Sequence, residues 1–253
     1  MKLADVNTIF GFWPKRNLDL SLNKLLEEMD RHGIEAAVTC SIQGILYNHE
    51  EGNAETLREC RRDRCLLPAA TIDLRRYPGG KGYVKALAEE GFRALRLFPD
   101  QQGWPIDYAP MRAVAEELAR VELPLLISNC ALGSLTQIAD LFKGSGVPVV
   151  LMRVNYNSIA EALAVGAANP LVYVDSSLID TPDGLKVFVR ELGSDRLLFG
   201  SYAPFHYVGA AAKTLANAEI SDAERERIAY SNFMRMFGPS PIQGVRPKSG
   251  RLS

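Results

Sequence analysis

Four charged side chains stand at or just past the ends of short apolar runs: Asp73 in ATIDLRR, Arg96 in FRALRLF, Arg153 in VPVVLMRV and Asp175 in LVYVDSS. A carboxylate can take a proton as a general base, and a planar guanidinium fork can grip the carboxylate or phosphate of a ligand. The order of the runs sets Asp73 beside Arg96 and Arg153 beside Asp175, so each arginine has a carboxylate within reach. Two readings follow. The pairs are internal ion pairs, needed because an unpaired buried charge costs roughly 3–5 kcal/mol, or they form a site for a small anion with Asp73 or Asp175 as the base.

Other reactive types carry less. Ser128 and Cys130 are nucleophiles by type, yet neither has a histidine at an activating spacing. Of the three histidines, His32 closes a helical stretch, while His49 and His206 read as exposed loop side chains or local hydrogen-bonding groups. Cys40, His49, Asp73, Cys130, Asp175 and His206 all lie near strand ends and could ligate a metal, but their spacing does not ask for one. Cys60 and Cys65 frame CRRDRC with no second pair at zinc-site spacing. Four cysteines are too few for a disulfide scaffold and read as free thiols. No cofactor is expected.

The elements that must position these groups repeat one unit. Strand patterns begin at Ala4, Glu35, Leu66, Phe92, Pro124, Val147, Leu171 and Arg196. Helical patterns run over Leu18 to Arg31, Asn53 to Asp63, Tyr83 to Glu90, Asp107 to Val121 and Pro182 to Leu192. Strand starts recur every roughly 23 to 32 residues, which predicts eight βα units closed into a (β/α)8 TIM barrel. An open doubly wound sheet is the runner-up; it lacks the Gly-rich turn after the first strand. The barrel is expected over residues 1–238, with a Pro-rich, basic tail over 239–253. In such a barrel the working residues lie at the carboxyl ends of the strands. Phe12, Trp13 and Trp104 then either wall a ligand pocket there or cap the barrel with apolar area.

Several segments together resemble one family. DVNTIFG from Asp5 is similar to a first-strand D-x-H-x-H-x-G, and GFRALRLFPDQQGWPID to a fourth-strand segment in which a Lys commonly precedes L-x-P. LPLLISN and VPVVLMRV resemble strands ending in His, LLFGSYAPF resembles L-x-F-G-S-D-x-P-F, and AERERIAYSNFMRMFG resembles the C-terminal helix. The family is the amidohydrolase-related group of TIM-barrel metal-dependent hydrolases, which also contains decarboxylases and lactonases. The resemblance implies that the family's metal-binding histidines become Asn7, Ile9, Ser128 and Arg153, its eighth-strand aspartate Tyr202, and its fourth-strand lysine Arg96. A catalytic metal needs about three imidazole, thiolate or carboxylate donors. Ile9 and Arg153 supply none, so we expect no metal. From these aligned positions and the groups at the strand ends, Asp73, Asp175 and Tyr202 are the catalytic candidates, and Asn7, Arg96, Ser128, Arg153 and His206 the substrate-binding ones.

Composition bounds the rest. Hydrophobic residues make up 47% of the chain and 29 basic residues oppose 30 acidic ones, so a large core forms and no overall field favours nucleic acid or membrane. MKLADVNTIF lacks signal-peptide features, and no apolar run is long enough to span a bilayer. A soluble, cytoplasmic protein is expected, with apolar helix faces that could serve a homo-oligomer. Three functions remain open: a metal-independent hydrolase or lactonase acting on a small acidic molecule; a non-catalytic ligand-binding or scaffold barrel, a pseudoenzyme whose centre is plugged by Tyr202 and Ile9; and a metal hydrolase with relocated ligands.

Overall fold

Strand and helix alternate from Leu3 to Phe237. The computed structural model describes residues 1–14, 17–128 and 131–238; Cys130 and the 239–253 tail lie outside the described residues. The strands are β1 Leu3–Phe10, β2 Ile34–Ser41, β3 Leu66–Ala70, β4 Ala94–Leu97, β5 Leu125–Ser128, β6 Val149–Met152, β7 Val172–Asp175 and β8 Leu197–Leu198. They pair in chain order, all parallel. Val6 N–H donates to the Phe199 carbonyl at 2.9 Å and Ile9 N–H to the Ala203 carbonyl at 3.0 Å. These bonds bring the last strand back to the first, and the chain is a (β/α)8 barrel.

Strand periodicity decides what enters the lumen. Ala4, Val6, Ala36, Val38, Ala69, Ala94, Leu126 and Val150 form one buried cluster inside the barrel. Their alternates, such as Leu3, Ala37, Leu95, Ile127 and Val174, join a second cluster between strands and helices. Arg96 has the parity of Ala94, Ser128 that of Leu126 and Asp175 that of Tyr173, so all three stand on the lumen side.

Caps explain where helix boundaries differ from the expected ones. Ser21 accepts from Lys24 N–H, so the first helix starts at Leu22, not Leu18. Asn48 accepts from the N–H groups of Glu50 and Glu51, which starts the next long helix at His49 instead of Asn53. This buries His49, against the expectation of an exposed loop side chain. Gly52 of that helix backs onto a short helix, Ile42–Leu46; a Cβ there would lie 2.1 Å from Gly44 N. A second short helix, Pro99–Gln102, follows β4 and presents Asp100 at the barrel mouth. Cys40, Cys60 and Cys65 are free thiols. Among the described residues, no helix is long and apolar enough to cross a membrane.

Candidate functional site

The Arg96 guanidinium crosses the lumen. Its strand, β4, is three places from β1, yet Nη1 donates to the Thr8 carbonyl at 2.8 Å and Nη2 to Asn7 Oδ1. Its carbon centre sits 4.9 Å over the Phe98 ring, and the residue is 1% exposed. Asn7 passes the contact on: its Nδ2 donates to Asp175 Oδ2 at 2.8 Å and to Ser177 Oγ at 3.1 Å. Asp175 also accepts from the backbone N–H groups of Ser177 and of Arg153, the latter at 3.0 Å. One chain of hydrogen bonds therefore joins β4, β1 and β7 at the carboxyl end of the barrel. Ile9, Cys40 and Tyr202 fill the apolar space around it, all buried. Burial pushes the Cys40 thiol up to about 11 although the Arg96 charge pulls it down.

Neither expected ion pair forms. Asp73 lies three residues past the end of β3, where Arg75 takes it from outside: Nε to Oδ1 and Nη2 to Oδ2, both at 2.9 Å. Burial works against the Asp73 charge, but the hydrogen bonds and charge of Arg75 win and hold the carboxyl below its ordinary value. Arg153 has left-handed backbone, φ 59°, unusual for a residue with a side chain. That turn leaves its N–H on Asp175 and carries the guanidinium to Asp100, at 2.8 Å.

A carboxyl group outside the expected set is more deeply placed. Asp5, fully buried, accepts from the N–H groups of Asn7 at 2.9 Å and Ser201 at 3.0 Å, and from the Ser201 hydroxyl. Burial pushes its pKa up to about 7 against those hydrogen bonds, and the nearby Asp175 charge adds to the rise. Its signal in the sequence is the one charged residue of LADVNTIF, a strand of eight buried residues in a row.

Above the lumen the mouth is aromatic. Arg153 sits 5.1 Å over the Tyr202 ring, and Tyr202 contacts Phe205 at 5.2 Å and His206 at 5.3 Å. Tyr202, like Arg153, has left-handed backbone, φ 58°, and strain of this kind gathers at working sites. Burial raises the Tyr202 phenol, with Arg153 and Arg96 pulling it down. Trp13 closes on Phe205 edge-on at 5.4 Å. Trp104 is buried among the barrel's outer residues, Nε1 donating to Gln102 Oε1 at 2.9 Å, so it walls no mouth pocket; Phe12 is 70% exposed. Ser128 is buried at the end of β5, and His206 is exposed on the rim. Between the loops after β7 and β8 lies a cleft of about 290 Å³.

Residues 50–238 match the family model described as amidohydrolase. The chain belongs to the amidohydrolase family. One curated relative, a gamma-resorcylate decarboxylase of Polaromonas sp. (strain JS666), is 27% identical over 103 residues, 37% of this chain and 32% of that protein. The chain thus matches about a third of that relative's length. Among solved structures, a 2,6-dihydroxybenzoate decarboxylase complexed with 2,6-dihydroxybenzoate is 16% identical with a TM-score of 0.72, covering 94% of this chain and 99% of that one. The 5-carboxyvanillate decarboxylase of Sphingomonas paucimobilis is 14% identical with a TM-score of 0.74, covering 93% and 98%. A dihydroxybenzoic acid decarboxylase from Polaromonas sp. JS666, with bound manganese and 2-nitroresorcinol, is 17% identical with a TM-score of 0.73, covering 94% and 97%. At these identities the likeness is one of fold.

The positions that the family resemblance assigns to metal ligands carry side chains with few donors to offer a divalent cation. Asn7 offers an amide already shared between Arg96 and Asp175, Ile9 an alkyl group and Arg153 a cation. Tyr202 offers a phenol whose proton burial holds in place. Among the described residues no three His, Cys, Asp or Glu side chains gather to hold a metal. A permanent guanidinium charge already stands in the lumen.

Proposed function

We propose that this barrel works without a divalent metal, and that it binds a small molecule at its mouth and carries out no hydrolysis or decarboxylation in its lumen. The observation that carries the reading is Arg96, buried and hydrogen-bonded from β4 across to β1. A buried cation costs several kcal/mol to desolvate and is retained where its donors are met inside the protein. Nη1 and Nη2 each have an acceptor on β1, which turns that end of the fork toward the protein, while Nε has no hydrogen-bond partner among the described residues. The groups that a metal-independent hydrolase would use are committed as well. Asp73 is held by Arg75, which lowers its basicity, and Asp175 accepts from Asn7 and from the N–H groups of Ser177 and Arg153. In this reading Asn7, Arg96 and Asp175 brace the barrel, while Arg153, Tyr202 and His206 shape its rim.

The solved relatives act on, or hold, small aromatic acids, so the test is direct. Purified protein given manganese and 2,6-dihydroxybenzoate should release no carbon dioxide above a protein-free control. Turnover that disappears in Asn7→Ala would overturn the proposal.

A further inference from the structure

The cleft between the loops after β7 and β8 is open to solvent and is lined without lysine or arginine. Its wall includes Ser176, Ser177, Asp180, Phe205, His206 and Tyr207. Asp180 is exposed, and among the described residues its carboxylate makes no hydrogen bond or ion pair. Tyr207 is 89% exposed, and its ring has no aromatic partner among the described residues, whereas Phe205 is already stacked on His206 at 5.9 Å. An aromatic side chain left this open gives up apolar area that a ligand can cover.

The hydroxyl groups are oriented from behind. Ser177 Oγ accepts from Asn7 Nδ2 at 3.1 Å, and Ser176 Oγ accepts from Gly200 N–H at 3.2 Å. With one lone pair of each oxygen engaged, each hydroxyl keeps its proton and one further lone pair to offer. The wall thus presents donors from the serines, an acceptor from Asp180 and a flat apolar face from Tyr207. An anion would meet the Asp180 charge with no lysine or arginine in the wall to offset it. Arg153 is outside the wall and paired with Asp100.

We propose that this cleft binds a neutral polyhydroxylated ring, a monosaccharide or cyclic polyol, with its C–H face on Tyr207 and its hydroxyls on Asp180, Ser176 and Ser177. Each hydroxyl of such a ring both donates and accepts, which matches a wall that carries both functions. A hydrogen bond from a ligand hydroxyl to a carboxylate is among the stronger neutral-ligand contacts. The volume, about 290 Å³, is at the lower edge of small-molecule clefts, about 300–1,000 Å³, and admits one ring. This inference rests on the preceding reading that the mouth, not the lumen, meets the small molecule.

Saturation-transfer NMR on the full chain tests it, with D-glucose and myo-inositol as neutral probes and benzoate as an anionic aromatic one. We expect transfer to at least one neutral probe at millimolar concentration and none to benzoate. Affinity should fall roughly tenfold or more in Asp180→Asn and in Tyr207→Ala. Both sites are exposed, so an unchanged unfolding midpoint shows that the fold is kept. Absence of transfer to both neutral probes overturns the proposal, as does transfer that survives both substitutions. Those failures leave the metal-free reading standing. Benzoate binding lost in Arg153→Ala would overturn the proposal, while manganese binding would strike the earlier reading instead.

Discussion

Arg96→Ala should unfold at markedly lower urea than the parent chain, with a loss of about 3–5 kcal/mol. Two opposing terms set this figure. Removing the side chain relieves the desolvation of a buried cation, which favours the variant. It also strips the Thr8 carbonyl and Asn7 Oδ1 of their donors and opens a cavity beside Phe98 and Cys40. Each bared acceptor costs about 1–3 kcal/mol, and the loss spreads because Asn7 also holds Asp175. The bracing role wins if Arg96→Lys recovers only part of the loss, since an ammonium keeps the charge but not the planar fork. An Arg96→Ala variant as stable as the parent would mean that the guanidinium is not the brace described here.

Asp5→Asn should change how stability depends on pH. Asp5 has a folded pKa of about 7 against an ordinary value of 3.8. Between those values the folded chain holds a proton that the unfolded chain has released. The group's stabilising contribution is therefore complete below pH 3.8 and is lost as pH rises through about 7. The slope is up to about 1.4 kcal/mol per pH unit. The amide that replaces the carboxyl cannot ionise, so the variant's stability minus the parent's should rise from pH 5 to pH 7 and level off above pH 8. Taking that difference cancels the titration of groups that do not interact with Asp5. Urea unfolding at pH 5, 6, 7 and 8 reads it; a difference independent of pH would show that Asp5 stays ionised in the fold.

Much of the fold is legible in the sequence because each strand obeys a period of two and each βα unit is short. Alternation in FRALRLF sets Arg96 on the same face as Ala94. The last strand is less legible: RLLFGSY reads as seven residues, but only Leu197–Leu198 is regular. Beyond it the chain turns to meet β1 at Phe199 and Ala203, a closure that depends on both ends of the barrel at once. Partners at the mouth are hidden for the same reason. Adjacent strands suggest Arg96 with Asp73, but a long side chain inside a closed barrel reaches across it, and Asp73 finds Arg75 two residues on. Arg153 misleads because nothing in VPVVLMRV marks a left-handed residue where no glycine stands. Asp5 is overshadowed by its neighbours Asn7 and Ile9, although a carboxylate among eight buried strand residues is itself a signal. Burial of Ile9 and Tyr202 in one apolar cluster is foreseeable from their residue types.

The central claim is that the Arg96 network leaves no place for a divalent metal in the lumen. Manganese titration of chelator-stripped protein, followed by calorimetry and by the electron paramagnetic resonance of free manganese, tests it most directly. All added manganese should stay free up to at least one equivalent per chain. One tightly bound manganese per chain, lost on replacing Asn7 or Asp175 by Ala, would contradict the claim.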